Sequence, residues 1–210
     1  MQQGHLNRSR LAAIVLAGAA IVALPIASHA QSHATIIGRA DLKPLNGSGA
    51  KGQVELRLSA DQRTLTVIIQ ASGLEPGGVH ISHIHGLSEN GHSIDSTCPT
   101  SAEDADHDGY VELAEGAVKY GPILVDFMNI DPDQDGRVNF HKDFDLSGTQ
   151  SALPLQMRHV VIHGMTVNGA GAGTPGEVDG TSGYKTVLPV LCGDIRVTGS
   201  GNPLQFRKVG

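Results

Sequence analysis

Apolar and polar positions alternate with a period of two in Val54-Glu55-Leu56-Arg57-Leu58, which predicts a half-buried β-strand. Thr64 to Gln70 (TLTVIIQ) is rich in β-branched residues and follows the turn-forming Ala60-Asp61-Gln62. Gly73 to Gly78 (GLEPGG) is a turn cluster, after which Val79 to His85 reads as another strand. Further strands are expected over Ile123 to Phe127, His159 to His163 and Thr186 to Val197. No stretch carries a long apolar pattern of period 3.6, so no long amphipathic helix is expected. Short strands divided by Gly- and Pro-rich turns predict an all-β sandwich or barrel with long loops. Residues 168–184 (NGAGAGTPGEVDGTSGY) form a Gly-rich loop of a length that is often functional, and residues 199–210 read as a frayed tail.

One segment departs from this alternation. Residues 11–27 (LAAIVLAGAAIVALPIA) are uncharged and almost wholly apolar, Arg8 and Arg10 precede them, and Ser28-His29-Ala30 puts small residues before Gln31. This is the layout of a secretory signal peptide over residues 1–30. The run falls short of the roughly 20 residues of a spanning helix, and Pro25 interrupts its end, so no stable membrane span is expected after cleavage. Residues 31–210 then form the exported domain, in the periplasm or outside the cell, where disulfides persist. Cys98 and Cys192 are the only cysteines of the 210-residue chain, so they are expected to form one bridge.

Composition narrows the function. The whole chain has a net charge of −6 from 15 Lys and Arg against 21 Asp and Glu; without Arg8 and Arg10 the charge is 13 − 21 = −8. An acidic chain with 3% aromatic residues argues against nucleic acid as a partner. Eleven His are the unusual feature. His83-Ile84-His85 puts two imidazoles on one side of a strand and Ile84 on the other, because strand side chains alternate. His159 and His163 share one side of a second strand. Imidazoles at fixed strand positions suit copper or zinc, and nitrogen donors bind copper most tightly among the divalent ions.

GLEPGGVHISHIHG, STCPT, RHVVIHG and LCGDI, in that order, resemble the copper/zinc superoxide dismutase family over about residues 34–197. The resemblance implies an immunoglobulin-like Greek-key β-sandwich, copper held by His83, His85 and His163, a structural His80, and a Cys98–Cys192 bridge. It implies catalysis through those copper ligands, with superoxide or another small molecule as the partner. Two departures are plain. The family's zinc loop supplies further His, whereas only His107, His141 and His159 occur between Cys98 and His163, at the wrong spacing, so zinc is a doubtful cofactor. The family's active-site Arg lies three residues before the C-terminal Cys, and Pro189 stands there. Lys185 or Arg196 are the nearest candidates for a replacement charge.

In place of the zinc loop the chain carries acidic loops. Asp104-x-Asp106-x-Asp108-Gly109-Tyr110-x-Glu112-x-x-Glu115 fits the twelve-residue calcium loop, with a backbone carbonyl from Tyr110 at position 7 and a side chain or water at Glu112. A second copy, Asp131-x-Asp133-x-Asp135-Gly136-Arg137-x-Asn139, has Lys142 at position 12 and needs another donor, Asp143 or Asp145. No flanking helices are evident for either. Calcium is therefore expected as a structural cofactor of an insertion spanning about residues 104–145. Two other readings stand beside dismutation: a non-enzymatic copper- and calcium-binding domain on a dismutase scaffold, and a cupin-type metalloenzyme using Glu89. The cupin pattern is broken at Ser96, and no Pro-x-Gly precedes His163. His92 is a fringe metal candidate, and the sequence sets no oligomeric state.

Overall fold

A computed structural model describes residues 1, 34–168 and 182–199. The expected signal peptide beyond Met1, residues 169–181 of the Gly-rich loop and the tail from residue 200 lie outside the described residues. The strands are β1 (Ala34–Pro44), β2 (Lys51–Ser59), β3 (Thr64–Ser72), β4 (Ile81–His85), β5 (Leu87–Glu89), β6 (His92–Ile94), β7 (Ile123–Asn129), β8 (Arg137–Asp145), β9 (His159–Val167), β10 (Gly183–Asp194) and β11 (Arg196–Gly199). All the pairings are antiparallel. A curled sheet runs in the order β7-β4-β9-β10-β1-β2-β3-β8, with β11 also on β1 and β5-β6 a separate hairpin.

β1 makes the corner. Its first part pairs with β2 and β11, and its end, at Lys43 and Pro44, pairs with β10. One curled sheet thereby encloses a core between its two halves, the all-β barrel or sandwich architecture expected from the turns. The alternation in β2 and β3 has the expected outcome: Val54, Leu56, Leu58, Leu65, Val67 and Ile69 are all buried in this core. Ile84, Val160 and Ile162 join them from β4 and β9.

β4 and β9 are buried on both faces. The outer face of β9 carries Val161, which packs with Tyr120 and Cys192 in a second cluster, against Cys98, Leu113 and Ala117. This cover comes from the segment between β6 and β7. It is tied down at one end by the Cys98–Cys192 disulfide and contains a helix, α1 (Leu113–Tyr120), that the sequence pattern does not predict. The helix has a capping box, Glu112 and Glu115 each accepting from the other's backbone N–H, and its Leu113, Ala117 and Tyr120 fall at helical spacing on the covering side. Eight residues are too few for periodicity to stand out from the surrounding loop. The expected strand from Thr186 to Val197 is in fact two, β10 and β11, divided at Ile195. β1 and β8 lie outside the expected strands, and β8 begins inside the expected second calcium loop.

Candidate metal centre

His83, His85 and His163 bring one ligand nitrogen each to within 4.8 Å of one another. Adjacent strands do this. β4 pairs with β9 with His83 opposite Val161, so the outward side chains of both strands share the face that α1 covers. The three residues are 4%, 2% and 1% exposed, respectively, despite facing away from the main core.

Hydrogen bonds decide which nitrogen faces the centre. His85 Nδ1–H donates to the Gly121 carbonyl at 2.9 Å, and His163 Nδ1–H donates to the Val187 carbonyl at 2.7 Å. Their Nε2 atoms are left without a partner, as is Nδ1 of His83. Asp126 Oδ1 stands 3.5 Å from His83 Nε2, on the opposite side of that ring. The centre is thus two Nε2 atoms and one Nδ1, each oriented from behind by an oxygen, the usual support for metal-ligating imidazoles. Burial pushes the pKa of His85 down to about 4 and that of His163 to about 3, and it lowers that of His83. All three rings are neutral near pH 7 and hold lone pairs ready for a metal. Three buried lone pairs with no donor to meet them could hold a metal ion.

His80 stands behind the centre. Its two ring nitrogens lie 3.0 Å from the His163 carbonyl and 3.1 Å from the Glu75 carbonyl, fixing the β9 backbone at the ligand. The Glu75 carboxylate holds Thr166 through both its N–H and its hydroxyl, at 2.5 and 2.6 Å. His159 is fully buried but outside the triad; its Nδ1 lies 3.1 Å from Ser96 Oγ and its ring stacks on His85 at 6.2 Å. His92, His107, His141 and Glu89 are exposed, and none joins the triad.

Neither candidate for a replacement charge lines the cleft above the triad. Arg196 faces Asp41 at 3.9 Å, and Lys185 lies in β10 opposite Met165. Pro189 pairs in register with His163, and its carbonyl accepts from Asn46 Nδ2 at 2.9 Å. Arg158 is the buried cation of the region, 2% exposed. Its guanidinium donates to the Leu87, Ser151, Leu153 and Met157 carbonyls and to Ser93 Oγ, so it ties the β5-β6 hairpin to the turn before β9.

Sequence reasoning missed Tyr120, Gly121 and Asp126. Tyr120 packs its ring 4.8 Å from that of His85 and donates its hydroxyl to the Leu113 carbonyl. Gly121 ends α1 at φ +73, and a Cβ there would lie 2.5 Å from the Gly86 carbonyl oxygen, so the carbonyl that holds His85 needs a glycine. The Glu112-x-x-Glu115 box with Leu113, Ala117 and Tyr120 was the available signal for the helix.

The first acidic loop also converges. Asp104, Asp106 and Asp108 form one group within an ion's reach, and Asp106, Glu112 and Glu115 form another that shares Asp106. Each arm is held by backbone: Gly109 N–H donates to Asp104 Oδ2 at 3.0 Å, Tyr110 N–H to Asp108 Oδ1 at 2.8 Å, and Ala105 N–H to Glu115 Oε1 at 2.7 Å. Asp104 Oδ1 and Asp108 Oδ2 are covered and without a hydrogen-bond partner. Burial, then the charges of Asp106, Asp104 and Glu115, raises the pKa of Asp108. These acidic groups can bind calcium.

The second loop folds as a tight turn between β7 and β8. Asp133 Oδ1 accepts from the N–H groups of Asp135 at 2.9 Å and Arg137 at 2.8 Å, and Asp135 pairs with the Arg137 guanidinium. Asp131 accepts from Asn129, and Asn139 lies within β8 opposite Gln70. Asp131, Asp133 and Asp135 do not converge as the first loop's acids do. Among the described residues no helix is long and apolar enough to cross a membrane. No family model and no curated protein matches the chain.

Proposed function

We propose that the chain is an exported copper protein of the copper/zinc superoxide dismutase kind, acting in the periplasm or outside the cell. One observation carries the reading: three buried imidazole nitrogens, each oriented from behind, face one point and have no hydrogen-bond partner. An all-imidazole donor set favours copper among the divalent ions. Copper, when bound, supplies one-electron redox chemistry at a position left open to a small molecule. His85 and His163 present Nε2 because backbone carbonyls take their Nδ1–H, and His83 presents Nδ1. Calcium in the Asp104–Glu115 loop orders the segment that covers them.

Metal analysis of the exported protein tests it. About one copper per chain is expected, lost in His163→Ala, and a chain that takes up no copper sinks the reading. Superoxide dismutation is the second reading. It is supported by the order of the four motifs together with the convergence of the triad and the Cys98–Cys192 bond. Rapid superoxide consumption by the copper-loaded protein, absent from His163→Ala, is its expected outcome. Copper binding without that consumption leaves the non-enzymatic copper and calcium domain.

A further inference from the structure

The three converging nitrogens form the floor of a cleft of about 510 Å³. Its walls include Ile81, Leu87, Leu113, Ala117, Ile123 and Val187, and no Lys, Arg, Asp or Glu lines it among the described residues. The nearby cations are committed elsewhere: Lys119 of α1 faces Glu103 at 3.4 Å, and Arg158 donates to backbone carbonyls. A carboxylate carried on the body of a ligand, held against these walls away from the imidazoles, gives up water against hydrocarbon and meets no positive side chain there. A neutral molecule gains at every apolar contact, at about fourfold in affinity per buried methylene.

We propose that this cleft seats a molecule with a small apolar body and one nitrogen or oxygen donor, the donor directed at the three imidazoles, in preference to one whose body carries a carboxylate. The inference rests on the triad being a copper site and specifies what that site accepts. Leu113 and Ala117 supply one wall and Ile81 and Val187 others, so the body contacts hydrocarbon while the donor reaches the floor.

Three probes with one donor type test it: pyridine, 4-ethylpyridine and pyridine-4-carboxylate. Each is titrated into the copper(II)-loaded protein and followed by the visible band and by electron paramagnetic resonance. Each affinity is divided by that for a tris-imidazole copper complex in water, which removes intrinsic donor strength. After that correction 4-ethylpyridine is expected to bind about tenfold tighter than pyridine, and the carboxylate at least tenfold weaker than 4-ethylpyridine. Ile123 is a half-exposed rim residue, and Ile123→Lys is expected to narrow the gap between the ethyl and carboxylate probes at least fivefold. A carboxylate that binds the wild-type protein as well as the ethyl compound overturns the proposal, as does a gap that Ile123→Lys leaves unchanged. Copper uptake, measured first, separates the two failures. A chain that takes up no copper overturns the copper reading and this inference together, whereas normal uptake with the wrong probe ranking overturns this inference alone.

Discussion

The imidazole triad and the first acidic loop are two ion-shaped sites made from opposite materials. The triad is neutral, 1–4% exposed and held by carbonyls and Asp126, so it stands assembled at little electrostatic cost. The loop gathers five carboxylates in two groups that share Asp106, and the charges of Asp106, Asp104 and Glu115 join burial in raising the pKa of Asp108. The first is uncharged without an ion; at the second a bound cation would offset the site's own charge. Acid should therefore move them in opposite directions, and a cation should matter more to the fold at the loop.

The pH response is the largest expected effect. His85, His159 and His163 have folded pKa values of about 4, 3 and 3 against 6.5 in the unfolded chain, chiefly through burial. Above pH 6.5 they are neutral in both states and contribute no pH dependence. Below it the unfolded chain takes up protons that the folded chain refuses. Stability of the metal-free protein should fall by about 1.4 kcal/mol per pH unit for each such His, down toward pH 4. Asp108 works the other way: its raised pKa means that the folded state protonates first and regains stability as acid is added. Urea unfolding of metal-free protein between pH 7 and 4.5 checks the balance. A flat profile, or a gain in acid, would mean that the loop's acids offset or outweigh the buried imidazoles and would break the comparison.

Calcium removal comes next. At 100-fold excess over its dissociation constant, one ion bound only to the folded state contributes about 2.7 kcal/mol. A chelator should lower the melting temperature by about 5–10 °C for a domain of this size. Glu115→Gln should abolish that calcium-dependent shift. Equal melting curves with and without calcium remove the loop's structural role.

How much of this was legible in the sequence varies with the element. β2 and β3 were, because each has one face in the core and the other in solvent, which leaves a clean alternation. His83, His85 and His163 were named because strand alternation and the family resemblance coincide on them. α1 was not, since its apolar positions are few and it is held by the acidic loop on one side and the disulfide-tied cluster on the other. Gly121 and Asp126 act through a backbone carbonyl and a partner across a sheet, and neither leaves a local pattern. β8 was hidden by the Asp-Gly turn that starts it, whose carboxylates suggest an ion site and draw attention from Val138, Phe140 and Phe144 beyond.

The two sites share α1, and this sets a smaller effect. Glu115 sits in the helix's first turn and answers to the acidic loop, while Tyr120 and Gly121 at its far end touch and hold His85. Ordering the loop with calcium should therefore favour the oriented His85 and raise copper affinity about five- to tenfold, about 1–1.4 kcal/mol of coupling. By reciprocity copper should raise calcium affinity by the same factor. Competition with a copper chelator, with and without calcium, measures the first; calcium titration of copper-loaded and copper-free protein measures the second. Equal affinities would show two independent sites that merely adjoin one helix.

The second Asp-Gly loop supplies the smallest effect and the sharpest control. It shares the first six positions of the pattern, yet its Asp133 is spent on the N–H groups of Asp135 and Arg137 and its Asp135 on Arg137. Its twelfth position, Lys142, is in β8 opposite Val67, with Nζ 5.3 Å over the Phe144 ring, where the first loop has Glu115 turned back by a helix. The element after the glycine decides between an ion site and a turn: a helix folds position 12 back onto the loop, whereas a strand carries it away at about 3.3 Å per residue. Lys142→Glu restores the missing acid in sequence but not in space. It should add no calcium equivalent by titration and should shift stability by no more than about 0.5 kcal/mol, as expected for an exposed strand position. A second bound calcium in that variant would show that the turn can open, and the difference between the two loops would then lie in residue 142 rather than in the strand that carries it.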